Sequence, residues 1–268
     1  MRLAGDKAEF DGFISYRVGS DLAIATRLYD ELTARGFKIW FDKKYLESGV
    51  DWKEGFCAGL ANSRTFISLL SRGAVNNPQQ LRCCYPSLTE DSPCDNVLLE
   101  QRLALELRDL GLIDRLYPVL IGDLNPATQS FSAYFEGGCH PVCPAVSVSA
   151  VEVELVHHFE FLALGSPLSA NKTVRDVVAG LTACQGGKLE GSEEQAFSAV
   201  VAAIETMLRE SNVNAAADAG SVAATVTVAV AGAESEESLI ELLGGLGVRD
   251  GEQRRDLAHR IRLALDQH

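Results

Sequence analysis

Apolar positions in the first half of the chain switch repeatedly between two periods. Residues 10–16 carry Phe10, Phe13, Ile14 and Tyr16, an aromatic and β-branched density that suits a buried, central strand. Over residues 20–36, Leu22, Ala25, Leu28, Tyr29 and Leu32 recur at three- and four-residue steps, which predicts a helix capped by Ser20 or Asp21 and ended by Gly36. Residues 37–41 predict a second strand, 42–51 a polar loop, and 52–62 a short helix with Trp52, Phe56 and Leu60 four apart. A third strand follows at 65–70. Residues 76–93, with two Pro and paired Cys, read as an irregular insertion. Residues 95–110 then give a clear helix with Asp95 as its cap, and 116–121 a fourth strand. Strands alternating with helices predict a mostly parallel sheet covered on both faces.

Beyond Asp123 the pattern thins. Val146 to Val148 offers a short fifth strand, and 151–162, 174–181 and 193–208 read as helices. Residues 211–233 are rich in Ala, Val, Gly and Thr without a helical period, and read as a linker. Ser235 starts a further helix that Gly244 and Gly245 stop. Asp250 with Gln253 forms a capping-box-like start for a last one.

Composition narrows the class. At 268 residues and 47% hydrophobic the chain has ample material for a core. A formal charge of −13 argues against a broad nucleic-acid or anionic-membrane surface, since both need a basic footprint. No apolar run reaches the roughly 18–20 residues of a membrane span, and no secretion signal opens the sequence. Seven cysteines at irregular spacing fit free thiols better than a disulfide framework, so the expected location is the cytoplasm. Cys139, His140 and Cys143 lack a second ligand pair at a usual spacing, so no metal site is expected.

Asp11-Gly-Phe-Ile-Ser-Tyr-Arg17 resembles the first signature of TIR (Toll/interleukin-1 receptor/resistance) domains. The segment from Ile39-Trp-Phe-Asp42 to Leu46-Glu-Ser-Gly49 is similar to the family's second segment and its mobile loop. Phe66-Ile-Ser-Leu-Leu-Ser71 and Leu98-Leu-Glu100 resemble the remaining landmarks. This resemblance implies an α/β fold, a flavodoxin-like five-stranded parallel sheet, here with an α-helical C-terminal extension. It implies two functions. Many TIR domains assemble with copies of themselves or with other TIR-domain proteins as signalling scaffolds. Others hydrolyse NAD, as a substrate rather than a cofactor, to nicotinamide and an ADP-ribose product, using a glutamate on the third helix and often completing the site between subunits. That glutamate falls on Glu100. Asn96 is a departure, since enzymatic relatives usually carry Trp there. A fainter resemblance, Leu243-Gly-Gly-Leu-Gly-Val248 with Gly251, Arg254, Leu257 and Ile261, is to the C-terminal half of a SAM (sterile alpha motif) domain. The resulting division is a TIR domain over 1–165, a helical extension packed on it over 166–210, a flexible linker over 211–234 and a partial SAM-like helical pair over 235–268.

Cleaving the nicotinamide–ribose bond develops positive charge on the sugar, which a fixed carboxylate stabilises. Glu100 suits that role; its bland alternative is a glutamate favoured by the helix dipole. Around it, Arg17 suits a bidentate grip on pyrophosphate or a loop-closing salt bridge. Ser20 suits an anion contact or a plain cap. Trp40 and Phe41 suit a cleft wall or the core, and Lys43 a ligand phosphate or solvent. The expected reading is a cytoplasmic NAD glycohydrolase in signalling or defence, with a non-enzymatic TIR scaffold as the alternative and neither nucleic acid nor membrane as partner.

Overall fold

A computed structural model describes residues 8–45, 52–76, 84–134, 142–169, 171–231 and 235–245, with Arg255, Ala258 and His259. The chain divides into two compact units, Met1–Asn212 and Val213–His268. In the first, five parallel strands form one sheet: β1 (Phe10–Ser15), β2 (Ile39–Trp40), β3 (Ser63–Ser71), β4 (Arg115–Ile121) and β7 (Gly187–Leu189), in the order β2-β1-β3-β4-β7. Three short strands, β5 (Leu124–Asn125), β6 (Ser130–Phe131) and β8 (Gly191–Ser192), pair antiparallel beside it. The parallel order is that of the flavodoxin-like doubly wound folds. β3 holds the middle of the sheet, where the sequence suggested residues 10–16; β1 lies one place away, between β2 and β3.

Successive side chains on a strand face opposite ways, and this sorts the apolar residues into two cores. Phe13, Trp40, Phe66 and Leu70 face a layer that includes α3 (Trp52–Ala61), α5 (Asn96–Asp109), α6 (Ser149–Phe161) and α7 (Val174–Thr182). Ile14, Tyr16, Ile39, Phe41, Ile67 and Val119 face α1 (Val18–Ala34) and α8 (Glu193–Ala231). Helix α1 ends in a Schellman arrangement: Phe37 N–H reaches Leu32 O at 3.2 Å, Gly36 N–H reaches Thr33 O at 2.9 Å, and Gly36 takes a φ of +88°. Its start differs from the expectation. Arg17 is the N-cap residue and no side chain caps the helix, so Ser20 sits inside the first turn.

Three further expectations are corrected. Val146 to Val148 is not a strand; the fifth strand is β7, inside the stretch assigned to a helical extension. α8 continues through Ala231, where the composition suggested a linker. Asp42–Tyr45 forms a short helix, α2, in the expected polar loop, whose residues 46–51 lie outside the described residues. In the second unit, α9 (Glu236–Gly245) starts where expected, with Ser238 N–H donating to Ser235 Oγ at 3.1 Å. The last helix of the SAM-like pair falls almost wholly outside the described residues.

The far half of α5 carries buried charge. Arg102, fully buried, donates to Glu106 at 2.5 Å, to Glu152 of α6 at 3.0 and 3.3 Å, and to the Ser169 carbonyl at 2.5 Å. Glu106 also accepts from Leu168 N–H at 2.7 Å and from the Ser169 hydroxyl. Burial disfavours the Glu106 anion, but these donors outweigh it and hold the carboxyl below its ordinary range. Buried charge is tolerated when every lone pair is met, and here the network binds α5 to α6 and to the approach to α7.

The sheet's near face depends on one aromatic stack. Trp40 lies flat on Phe13 at 4.4 Å with an interplanar angle of 5°, and its indole crowds Gly59 of α3. A methyl group on Gly59 would lie 2.2 Å from Trp40 Nε1. In a helix interior Gly→Ala ordinarily stabilises by about 1 kcal/mol. Here overpacking costs about 1–3 kcal/mol and wins. Gly59→Ala is expected to lower the urea midpoint; an unchanged or higher midpoint would show that the indole yields.

Candidate active site

In a sheet of this order, ligands bind beyond the carboxyl ends of the strands where the strand order reverses, between β1 and β3. Glu100 reaches that place. It lies in the first turns of α5, and its Oε2 accepts from the Ser15 hydroxyl at 2.6 Å, at the last residue of β1. Ser15 is itself buried, while Glu100 stays partly open to solvent. Next to Ser15, Tyr16 donates to Asp42 Oδ1 at 2.7 Å, tying the end of β1 to the start of α2. Behind Glu100, a buried relay anchors α5 on the sheet: Tyr85 donates to Gln101 Oε1 at 3.0 Å, and Gln101 donates to Ser68 of β3 at 3.2 Å.

This setting changes the acidity of the carboxyl. Burial among protein atoms pushes Glu100 up to about 8. Donation from Ser15 opposes the rise, the charges of Asp42 and Asp95 add to it, and Arg17 opposes it. Burial also raises the Tyr16 phenol far above its ordinary value, with the bond to Asp42 and the nearby carboxylates adding, so it remains a donor. A group so displaced, at a strand-end switch point, marks a functional site better than a surface glutamate would.

Arg17 occupies the same corner but faces protein. Its Nη1 donates to Asp95 Oδ2 at 2.7 Å, and its Nη2 donates to Asp95 Oδ1 at 3.0 Å and to the Ala74 carbonyl at 3.1 Å. Both partners of the ion pair are buried. Asp95 in turn accepts from Leu98 N–H at 2.8 Å and caps α5 as expected. Of the two roles weighed for Arg17, this geometry is the salt bridge, with both guanidinium arms engaged by protein.

The other sequence candidates scatter. Trp40, the last residue of β2, and Phe41, just after it, are buried and enter opposite cores; Phe41 packs on Tyr16 and Tyr29 at 5.4 and 5.1 Å. Neither forms a cleft wall. Ser20 is exposed beside Gly73, where a side chain would meet its Cβ at 2.3 Å. Lys43 is exposed on α2. Ser15, Tyr16 and Asp42 were passed over, although a serine closing an otherwise apolar strand at its carboxyl end is a readable signal. Among the described residues no three His, Cys, Asp or Glu side chains converge as metal ligands, and Cys139 and His140 lie outside them. No helix among the described residues is long and apolar enough to cross a membrane.

Folding raises the Glu100 carboxyl from 4.5 to about 8, so the folded state binds its proton more tightly. The stability that this contributes is complete below pH 4.5 and is lost as the pH rises through 8. Glu100→Gln is therefore expected to leave the Tm nearly unchanged at acid pH and to raise it in alkali, by about 2–4 °C per kcal/mol recovered. Circular-dichroism melts across pH check this; a constant difference between the two proteins would place the carboxyl near its ordinary acidity.

Residues 13–136 match the family model of the TIR domain. Among solved structures, the chain is similar to a metazoan TIR-STING receptor from C. gigas, at 20% identity and a TM-score of 0.31, over 45% of this chain and 33% of that one. It thus spans a third of that receptor's length. It is also similar to the TIR domains of the activated Roq1 resistosome that directly recognises the pathogen effector XopQ, at 16% identity and a TM-score of 0.42, over 75% and 99%. No curated protein matches the sequence. The family match runs from within β1 through β6, and the five-stranded parallel sheet is the one the family resemblance implied.

Proposed function

We propose that the protein is an NAD glycohydrolase that cleaves the nicotinamide–ribose bond, with Glu100 as the catalytic carboxylate, acting in cytoplasmic signalling or defence. The observation that carries this reading is the Ser15-held, desolvated carboxyl of Glu100 at the end of β1, on a residue that is itself only partly buried. As the bond between C1′ and the pyridinium nitrogen breaks, its electron pair leaves with nicotinamide and neutralises that ring. The ribose gains oxocarbenium character, the fixed carboxylate stabilises it, and water adds at C1′ with loss of a proton. The leaving group is already cationic, so no second carboxylic acid is required.

The acidity of Glu100 fits this chemistry. A carboxyl near 8 is mostly protonated in the empty protein at neutral pH. An arriving pyridinium cation favours the charged form, so substrate binding deprotonates the group when its charge is needed. Assembly through TIR domains, with copies of this chain or other TIR proteins, would raise the local concentration of sites. A scaffold without catalysis remains the second reading, favoured by Asn96, whose exposed amide offers no ring for nicotinamide to stack on.

Nicotinamide release from NAD by concentrated protein is the direct test. Glu100→Ala is expected to reduce it by at least about 10²-fold, the scale of losing a transition-state charge partner. Equal release from both proteins would remove Glu100 from the mechanism, and no release from assembled wild type would leave the scaffold. In wild type, kcat/KM is expected to rise with pH around 8, the value for the free group, and kcat around a lower pH because the bound cation stabilises the anion.

A further inference from the structure

The Arg17–Asp95 pair is far more elaborate than closing a loop requires. Arg17 caps the start of α1 through its own carbonyl, which accepts from Ser20 and Asp21 N–H at 3.1 and 2.8 Å. Its side chain meanwhile grips the cap residue of α5 through both guanidinium arms. Five residues after Asp95, the same helix delivers Glu100 to Ser15, which lies two residues before Arg17. The chain therefore closes a small ring: Ser15, Arg17, Asp95, Glu100 and back to Ser15. Each member of that ring is buried or partly buried, so an error at one bond is passed to the next.

We propose that Arg17 is a positioning residue, whose bidentate hold on Asp95 sets the first turn of α5 so that the Glu100 carboxyl stays on the Ser15 hydroxyl. The inference rests on Glu100 being the reacting carboxylate and assigns Arg17 a task that differs from binding substrate phosphate. A lysine carries the same charge but presents a single point and cannot reproduce the fork. Misplacement of a catalytic group by about 1 Å is enough to cost about 10²-fold in rate. The groups that act on Glu100 are Ser15 and Arg17 at the end of β1, Asp42 on α2 and Asp95, while the Glu100 charge in turn raises the Tyr16 phenol and the Tyr85 phenol in the turn before α5. Among these, Ser15 is the one whose influence requires contact rather than charge.

The test follows the Glu100 carboxyl by NMR in the full chain with 13C-labelled glutamate, assigned through Glu100→Gln. Arg17→Lys and Ser15→Ala are each expected to raise the titration midpoint, because each loses the Ser15 donation. Together they are expected to raise it no further than either alone, the mark of a shared interaction. Additive shifts, or a wild-type midpoint in Arg17→Lys, would overturn the proposal. If Arg17→Lys does not fold, Asp95→Asn keeps the helix cap; it also removes a charge that raises Glu100, so the reading is whether adding Ser15→Ala moves the midpoint further, and no further shift is expected. Kinetics give an independent arm: Asp95→Asn is expected to lower kcat for nicotinamide release with KM little changed. A fall in KM would show a released guanidinium taking substrate phosphate, and would overturn the proposal. With no release from wild type, coupled titrations still uphold the positioning and sink only the reading of Glu100 as catalyst.

Discussion

The contact on which the candidate site depends is the buried pair between Arg17 and Asp95. It joins the segment that leaves the first strand to the helix that begins nearly eighty residues later, at the edge of the reversal in strand order. Neither charge would be tolerated there alone, since removing one partner of a buried pair typically costs about 3–5 kcal/mol. Together they are held by two arms to one carboxylate, a carbonyl beside the second arm, and a backbone N–H on the carboxylate. Everything proposed for Glu100 presumes that this junction is in place.

Much of the architecture was legible because buried parallel strands are written in a dense apolar code. Phe10 to Ser15, Ser63 to Ser71 and Arg115 to Ile121 announce themselves in that way, and the helices between them keep a strict period. The fifth strand did not. Gly187–Leu189 pairs through only three residues at a sheet edge, and its first residue and the one before it must be glycine for steric reasons. A side chain on Gly186 would meet the Pro118 carbonyl at 2.0 Å, and one on Gly187 would meet Val200 at 2.9 Å. Such a strand is defined by what its neighbours exclude, and that information is not local. The helix through Ala231 was missed for a related reason: small residues satisfy helical geometry without leaving an amphipathic trace.

The site was legible in one residue and obscure in its surroundings. Glu100 came from a motif, but the motif says nothing about what touches it. Trp40 and Phe41 looked like cleft walls because they end a strand, yet the twofold alternation of β structure sends them into separate cores. Arg17 looked like a phosphate clamp because of its chemistry, and only three dimensions reveal that an aspartate 78 positions away already fills its fork. Ser15 had the opposite problem: a plain residue whose importance comes entirely from the 2.6 Å to a carboxylate.

The Arg102 network gives α5 a mechanical character that its sequence does not suggest. The helix is anchored at its start by Asp95 and, two turns later, by Arg102 and Glu106 to α6 and to the chain at Leu168 and Ser169. A rod fixed at two points cannot pivot, and tilting it would strip partners from charges at both anchors at once. The opposite bank is tied differently: Tyr16 holds Asp42 by a hydrogen bond at the head of a four-residue helix. The carboxylate therefore rides on a helix held at both ends, and its distance from Ser15 is set by the sheet and by α6 together.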